Sequence, residues 1–403
     1  MGRSAPVSRD ERFMRLALDL ARRGVGRTSP NPMVGAVVVR RRRIVGRGYH
    51  RQAGTPHAEI HALRQAGARA RGGTLYVTLE PCNRHGRTPP CCDAILSAGV
   101  SRVVVAMKDP NPITNGRGLA RLRQAGVRVR VGVLRKEAQE LNAPFCKAMR
   151  NGLPLVIAKI GQSLDGKIAT TTGESRWITS PGSRRLGHQW RSRVDAILVG
   201  INTVLGDDPL LSVRGVAHRT DRPIKVILDS QLRTPLGAAC LSRRSPAPTI
   251  IATTVSRLER RAVFAERGIE VLTFHASRGR VPLRPLLRAL ARRGVHSVLI
   301  EGGGEVLASA FAQRLVDHVA WFVAPLIIGG RRAPAAVGGE GIRRLAQAVR
   351  LINVSVRRIG ADLCVEASVV YPTRRGRRQG AGGRGMLRES RAPRPLPHAP
   401  VRR

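Results

Sequence analysis

The sequence predicts an α/β chain of two layered units followed by a basic tail. Three observations lead there. Apolar runs of strand length alternate with helical periods over residues 34–371, the pattern of layered α/β folds. The chain has 403 residues, long for one domain and comfortable for two. Asn151-Gly152-Leu153-Pro154 reads as a turn, and a second alternation starts beyond it. The expected division is 1–150, 151–371 and a tail at 372–403.

In the first unit, Ser8-Arg9-Asp10-Glu11 has the S-x-x-E form of a helix capping box. Phe13, Leu16, Ala17 and Leu20 then keep helical spacing, and Gly24 can close that helix. Residues 34–39 form a strand, 40–43 a basic turn, and 44–49 the returning strand of a hairpin. A helix over 57–71 follows Pro56, and a strand over 74–79 leads to Glu80-Pro81-Cys82. Next come a helix at 91–98 ended by Gly99, a strand at 103–107 and a helix at 118–124. A strand at 127–133 and one helix from Lys136 to Met149 complete the unit.

The second unit shows strands at 155–160, 196–199, 224–228, 249–252, 270–273, 297–300, 318–323 and 364–371. Helices are expected at 181–193, 258–267, 283–293 and 305–313. From Pro372 onward Arg, Gly and Pro dominate with little to bury, so the tail is expected to be disordered.

The net charge of +45 points toward nucleic acid. The excess is spread along the chain, however; the tail from Thr373 holds only ten of the arginines. Six of the 71 basic residues are lysine, a lopsided usage that looks like compositional bias in the coding sequence. Aromatic residues make up 3%, too few for a base-stacking platform. Salt-sensitive, non-specific contact with nucleic acid is expected, and a specific nucleic-acid partner is not. No apolar run approaches membrane-spanning length, and Met1-Gly2-Arg3-Ser4-Ala5-Pro6 lacks the apolar stretch of a signal peptide. The expectation is a cytoplasmic protein with no membrane partner. Six cysteines in this length are no disulfide framework, and a close Cys/Cys/His group favours a metal. Cys146, Cys240 and Cys364 stand apart and read as small buried residues.

That close group is His57-Ala58-Glu59 with Pro81-Cys82 and Pro90-Cys91. One imidazole and two thiolates fill three corners of a zinc tetrahedron and leave the fourth for water. Zinc lowers the pKa of such a water, so hydroxide exists near neutral pH. Glu59 is close enough to His57 to move protons without being a ligand. H-x-E followed by P-C-x-x-C is the pattern of zinc deaminases, which attack an amidine-like ring carbon and release ammonia. Here eight residues, not two, separate Cys82 from Cys91. Cys92 could replace Cys91, although Pro90 and the helix start favour Cys91. The alternative is a closed structural site with His61 or His85 as fourth ligand.

The motifs Thr28-Ser29-Pro30-Asn31-Pro32-Met33-Val34-Gly35, His57-Ala58-Glu59, Thr78-Leu79-Glu80-Pro81-Cys82 and Gly86-Arg87-Thr88-Pro89-Pro90-Cys91 carry a resemblance. The chain resembles the bifunctional riboflavin-biosynthesis family, a diaminohydroxyphosphoribosylaminopyrimidine deaminase fused to a 5-amino-6-(5-phosphoribosylamino)uracil reductase. The resemblance implies a cytidine-deaminase-like α/β/α domain and a C-terminal domain similar to dihydrofolate reductase. It also explains the long inter-cysteine loop. One departure is Asn83-Arg84, where members commonly show Ser-His.

In the second unit, polar groups end or follow strands: Ser163-Leu164-Asp165-Gly166-Lys167, Asn202 to Pro209, and Leu228-Asp229-Ser230. Open α/β sheets bind ligands at such ends. Ile300-Glu301-Gly302-Gly303-Gly304-Glu305 joins a strand to a helix, where bare backbone can cradle phosphate. By the family likeness, Gly161, Trp177, Thr203, Asp207, Ser230, Gly303, Gly304, Glu305, Val306, Leu307, Ala308 and Ser309 would line NADPH. Ser175, Arg191, Leu211, Arg214 and Glu301 would hold the phosphoribosyl pyrimidine, with both arginines suited to its phosphate. Lys159 and Asp207 are candidates for polarising the ribose carbonyl and relaying a proton. The likeness further implies Zn2+ at His57, Cys82 and Cys91, Glu59 as the catalytic acid/base, and self-association.

Overall fold

The computed structural model describes residues 8–84, 89–216, 223–242 and 247–372. The residues expected to form the disordered tail, from Thr373 onward, lie outside the described residues, as do His85 to Thr88 of the inter-cysteine loop.

Helix α1 (Arg9–Arg22) opens on the capping box: Ser8 Oγ accepts from Glu11 N–H, and Glu11 accepts from Ser8 N–H. Its apolar stripe of Phe13, Met14, Ala17, Leu18 and Ala21 is buried. Strands β1 (Gly35–Arg40) and β2 (Arg43–Tyr49) form the expected hairpin. Helix α2 (Ala58–Ala66) stops earlier than its apolar spacing suggested, and 3-10 geometry takes over at Gly67–Ala70. Next come β3 (Thr74–Leu79), α3 (Cys91–Ser97), β4 (Arg102–Met107), α4 (Arg117–Gln124) and β5 (Arg128–Val131).

The single helix expected after β5 is two helices, α5 (Arg135–Leu141) and α6 (Ala143–Asn151). Pro144 stands in the first turn of α6 and cannot donate to a continuous helix. Asn142 at the break accepts from Met33 N–H at 2.7 Å and donates to Met33 O at 2.9 Å. A side chain that continues neither helix thus ties their junction to the chain entering β1.

The first sheet has the order β2-β1-β3-β4-β5, with β3, β4 and β5 parallel and the hairpin antiparallel. Gly152, in the left-handed region, ends α6 and turns the chain into β6 (Leu155–Ser163). The second unit continues with α7 (Pro181–Arg191), β7 (Ala196–Gly200), α8 (Ile201–Asp207) and β8 (Ile224–Leu228). Then follow β9 (Thr249–Thr253), α9 (Leu258–Ala265), β10 (Glu270–Thr273), α10 (Leu283–Arg292) and β11 (Ser297–Glu301). Helix α11 (Gly304–Ala312) and strands β12 (His318–Ala324), β13 (Arg350–Ile359) and β14 (Asp362–Val370) complete it.

Its nine strands run β10-β9-β8-β7-β11-β6-β12-β14-β13, all parallel through β12, with β14 and β13 an antiparallel edge. Successive residues of the central strands serve opposite faces. Val156 and Leu198 enter one apolar layer with Leu287, while Ile157 and Ile197 enter the other with Trp190. Burial on both faces explains why these strands read as continuous apolar runs.

Helix α8 and strand β13 have no counterpart among the expected elements. Helix α8 buries only Ile201 and Val204, a single i,i+3 pair that shows no repeating period. Strand β13 is mostly exposed, and its register shifts between Ile352 and Ser355, which breaks the two-residue alternation.

The first unit sits against the amino-terminal ends of β7 and β11. Phe145 of α6 and His296 before β11 have ring centroids 6.1 Å apart, and Lys147 pairs with Asp317 at 2.5 Å. A small cavity there is lined by Thr28, Ser29, Asn31, Asp195, His296 and Ser297.

Candidate active sites

His57 is the residue before α2, and Glu59 lies in that helix's first turn. Cys82 follows β3, and Cys91 opens α3. His57 Nδ1 lies 3.2 Å from Cys91 Sγ and 3.6 Å from Cys82 Sγ. All three donor atoms fall within 4.8 Å of one another. A tetrahedral zinc with Zn–N of about 2.0 Å and Zn–S of about 2.3 Å holds its N and S ligands about 3.5 Å apart. The donor set therefore fits zinc in both chemistry and spacing.

Cys92 points elsewhere: its Sγ donates to Pro81 O and Gly118 O, each at 3.7 Å. His61 does not join the donor cluster. His85 lies outside the described residues.

The Cys82 and Cys91 thiols are pushed in opposite directions. A hydrogen bond from Cys91 holds Cys82 as a thiolate with its pKa brought down to about 4, against burial. Cys91 N–H adds a bond to the same sulfur at 3.2 Å. Cys91 is pushed up by the Cys82 side chain and by burial. The hydrogen bond to Cys82 likewise raises His57. Metal binding replaces such protons, which makes the site a proton-releasing one.

Glu59 is 3% exposed, and among the described residues its Oε2 has no hydrogen-bond partner. Burial pushes its carboxyl up to about 7. A buried carboxylate oxygen without a partner costs free energy unless something bound at the site satisfies it. It can hold or release a proton near neutral pH. That is the property an acid/base group needs.

His50 was not singled out from sequence. Its ring lies edge-on to His57, centroids 5.5 Å apart, and its Nε2 is 3.1 Å from Asn31 Nδ2. A lone histidine at a strand end carries no spacing signal, so only the fold brings it here. Asn31, quoted within the Thr28–Gly35 motif, reaches the site through that pair.

In the second unit, a cavity of about 1510 Å³ opens at the carboxyl ends of β6, β7, β8 and β11. It exceeds the usual space for one drug-sized ligand. Its wall includes Lys159 and every residue the sequence analysis assigned to this site except Ala308. Ala308 instead faces Gly339, where a Cβ would come within 2.9 Å of it. Also on the wall are Asn202, from the polar group after β7, and His188, Arg233 and Arg280, unassigned from sequence. His188 lies one turn before Arg191 on α7, the only sequence signal it offered.

Gly302 and Gly303 have φ of 75° and 78°, and a Cβ on Gly302 would lie 3.2 Å from Thr203 Oγ1. Both requirements favour glycine. Bare backbone at the start of α11 suits an anionic group. Trp177 is 70% exposed on the cavity wall, with the Arg184 guanidinium 4.4 Å from its ring centroid. Ser175 Oγ donates to Asp207 Oδ1, and Lys159 Nζ lies 5.8 Å from the Phe322 ring centroid. Burial lowers the Lys159 ammonium, with the Glu301 charge opposing.

Arg191 and Glu301 form a two-point ion pair. Nε and Nη2 donate to Oε1 and Oε2 at 2.8 and 2.6 Å, while Nη1 donates to Ser212 O at 2.9 Å. Burial alone would raise the Glu301 carboxyl, but the Arg191 charge and bonds bring it down to about 2. The Arg191 fork is thus occupied within the protein, whereas Arg214 lies exposed on the cavity wall.

Fold and site together define a zinc-type cytidine deaminase unit joined to a reductase unit. Residues 7–107 match the cytidine and deoxycytidylate deaminase zinc-binding region, and residues 154–365 match the RibD C-terminal domain. The chain is 44% identical over 356 residues to the riboflavin biosynthesis protein RibD of Aquifex aeolicus, covering 88% of this chain and 97% of that one. Against the Escherichia coli protein of the same name, identity is 42% over 368 residues, covering 88% and 98%. The RibD structure of Acinetobacter baumannii in form 1 superposes with a TM-score of 0.82 at 37% identity, covering 91% and 100%. A Thermotoga maritima diaminohydroxyphosphoribosylaminopyrimidine deaminase/5-amino-6-(5-phosphoribosylamino)uracil reductase gives 0.76 at 34%, covering 89% and 98%. The chain belongs to the RibD family of bifunctional riboflavin-biosynthesis enzymes, with a hydrolytic deaminase and an NADPH-linked reductase in one polypeptide.

Proposed function

We propose that the chain deaminates 2,5-diamino-6-(5-phosphoribosylamino)pyrimidin-4(3H)-one at the first site and reduces the ribosyl group to ribityl phosphate at the second. The observation that carries the reading is the buried Oε2 of Glu59, partnerless among the described residues, beside a three-donor His/Cys cluster. His57, Cys82 and Cys91 would hold zinc, whose chemistry is to acidify a bound water. Glu59 takes the proton of the attacking water and delivers it to the leaving amine, so that ammonia departs and a ring carbonyl remains. His50 and Asn31 orient the pyrimidine edge.

At the second site NADPH would supply the reducing equivalents. Gly303 and Gly304 offer backbone to its phosphates, and Thr203, Ser230 and Trp177 line its length. Glu305, Val306, Leu307 and Ser309 stand on the same helix, whereas the position of Ala308 gives it no part in the wall. Arg214 meets the substrate phosphate, while Glu301 and Arg191 act together as a fixed pair beneath the substrate. Ser175 and Leu211 flank that pocket. Lys159 polarises the opened ribose, and Asp207 relays a proton through Ser175.

We further infer a division near residue 150, a cytoplasmic location and self-association. Unpaired cysteines support a reducing compartment, and none of the described helices is long and apolar enough to cross a membrane. Strand β13 is an edge with Leu351, Val354 and Val356 exposed, a template for another chain.

The deciding experiment supplies the diaminopyrimidine ribosyl phosphate with NADPH and follows ammonia and NADPH together. Both signals in sequence are expected. Ammonia without NADPH oxidation would leave only the deaminase, and neither signal would reject the substrate.

A further inference from the structure

Eight residues separate Cys82 from Cys91, too long a connection to hold two sulfurs at ligand spacing by covalent geometry alone. Something else must set that spacing, and helix α4 touches both ends of the connection. We propose that Arg121, on α4, is a positioning residue for the metal centre that clamps the segment after Cys82 to the segment after Cys91. The proposal rests on the zinc reading of the first site.

Arg121 Nη1 donates to Asn83 Oδ1 at 2.9 Å, one residue beyond Cys82. Its Nη2 pairs with Asp93 Oδ1, two residues beyond Cys91. One planar fork thus serves both cysteine segments. The ammonium of a lysine is a point charge without that fixed two-armed geometry.

A clamp is useful only if its base is rigid, and α4 is. The Glu80 carboxylate, two residues before Cys82, accepts from Gly116 N–H at 2.9 Å and Gly118 N–H at 3.0 Å. It also takes Asp109 N–H at 3.1 Å. A Cβ on Gly118 would come 2.1 Å from Pro81 O, so only glycine lets the helix approach this closely. Cys92 Sγ closes the set through Pro81 O and Gly118 O. Helix α4 therefore cannot slide relative to either ligand segment, and Arg121 transmits that rigidity to Asn83 and Asp93.

The Asn83 amide carries its acceptor oxygen out to the guanidinium. Arg121 and Asp93 are each about 40% exposed, so the pair contributes little to folding by itself. Groups that orient ligands nevertheless matter to the metal, typically about 10–100-fold in affinity. The expected signature is faster metal loss without loss of fold.

The test uses the full zinc-loaded chain and a chromophoric chelator that reports zinc release. Arg121→Ala is expected to release zinc about 10-fold faster or more. Arg121→Lys should fall between it and wild type. Asn83→Ala in the Arg121→Ala background should add nothing, because both changes break the same contact. Arg123→Ala, exposed on the same helix, should release zinc as wild type does. The metal-free thermal midpoint should be the same for Arg121→Ala and wild type. Release from Arg121→Ala at the wild-type rate overturns the proposal, as does equal acceleration in Arg123→Ala. A fall in the metal-free midpoint that Arg121→Lys does not rescue also overturns it, since Arg121 would then be merely structural. A wild-type chain that binds no zinc rejects the zinc reading itself, a different result from either.

Discussion

Glu59 and Glu301 are the same side chain, buried to 3% and 6% exposure, each at a proposed active site. Their protons are held in opposite ways. Glu59 has one oxygen without a partner among the described residues, and burial lifts its carboxyl to about 7. Glu301 faces the Arg191 fork and is brought down to about 2 despite equal burial. Burial sets the cost of the charge, and the partner decides whether it is met. The first site keeps a carboxylate free to exchange a proton, whereas the second keeps a fixed anion to orient a cation. The proposed deamination uses the first kind of group, and the proposed reduction the second.

The largest expected effect breaks the first half of the comparison. Glu59→Gln should keep zinc, yet lower the rate of ammonia release about 10²–10⁴-fold, the usual range for loss of an acid/base group. Reduction of the already deaminated intermediate should be unchanged. Retained deamination would remove Glu59 from proton transfer.

Next, Glu301→Gln leaves the Arg191 guanidinium buried and unpaired. It should destabilise the second unit by ~3–5 kcal/mol in urea unfolding and abolish reduction while sparing deamination. A small change in the urea midpoint would mean the pair is not the buried support proposed here.

A pH series on metal-free protein sharpens the contrast further. The folded pKa of Glu301 is lowered from 4.5, so its contribution is complete above that value and is lost as pH falls toward 2. For Glu59 the folded pKa is raised from 4.5 to about 7, so the unfolded chain ionises first and stability falls as pH rises between those values. Glu59→Gln should flatten the second slope and leave the acid limb alone. Identical pH profiles for that variant and wild type would show that Glu59 is not held protonated.

The smallest effect separates neighbouring thiols. Cys92→Ala should keep zinc and cost about 1 kcal/mol. Cys91→Ala should lose the metal, and the reverse outcome would exchange the two assignments.

Much of the fold was legible because strands buried on both faces must be written in apolar residues. Strands β3, β8 and β10 have the bounds their residues predict. Strand β13 was illegible because it is an exposed edge with a register shift, so no alternating pattern survives. The split between α5 and α6 had a local signal in Pro144, but Asn142 was bound to Met33, 109 residues away, a contact that no window shows. At the first site the residue types and spacing named the donor set. The approach of His50 to His57 had no counterpart in spacing.

By itself, then, the sequence determined most of the order of elements, the His57-x-Glu59 and Pro-Cys groups as the donor candidates, and the glycine turn at Gly302 and Gly303. These follow from local rules of periodicity, metal-ligand chemistry and backbone freedom. Only the tertiary structure decided that Cys91 rather than Cys92 faces His57, that Ala308 turns from the cavity, and that Arg191 is engaged by Glu301. Arg191 and Glu301 are 110 residues apart. Their meeting depends on adjacent elements packing α7 against the end of β11, and protonation depends on the partner found there. Long-range packing, not residue type, raised one glutamate's carboxyl and lowered the other's.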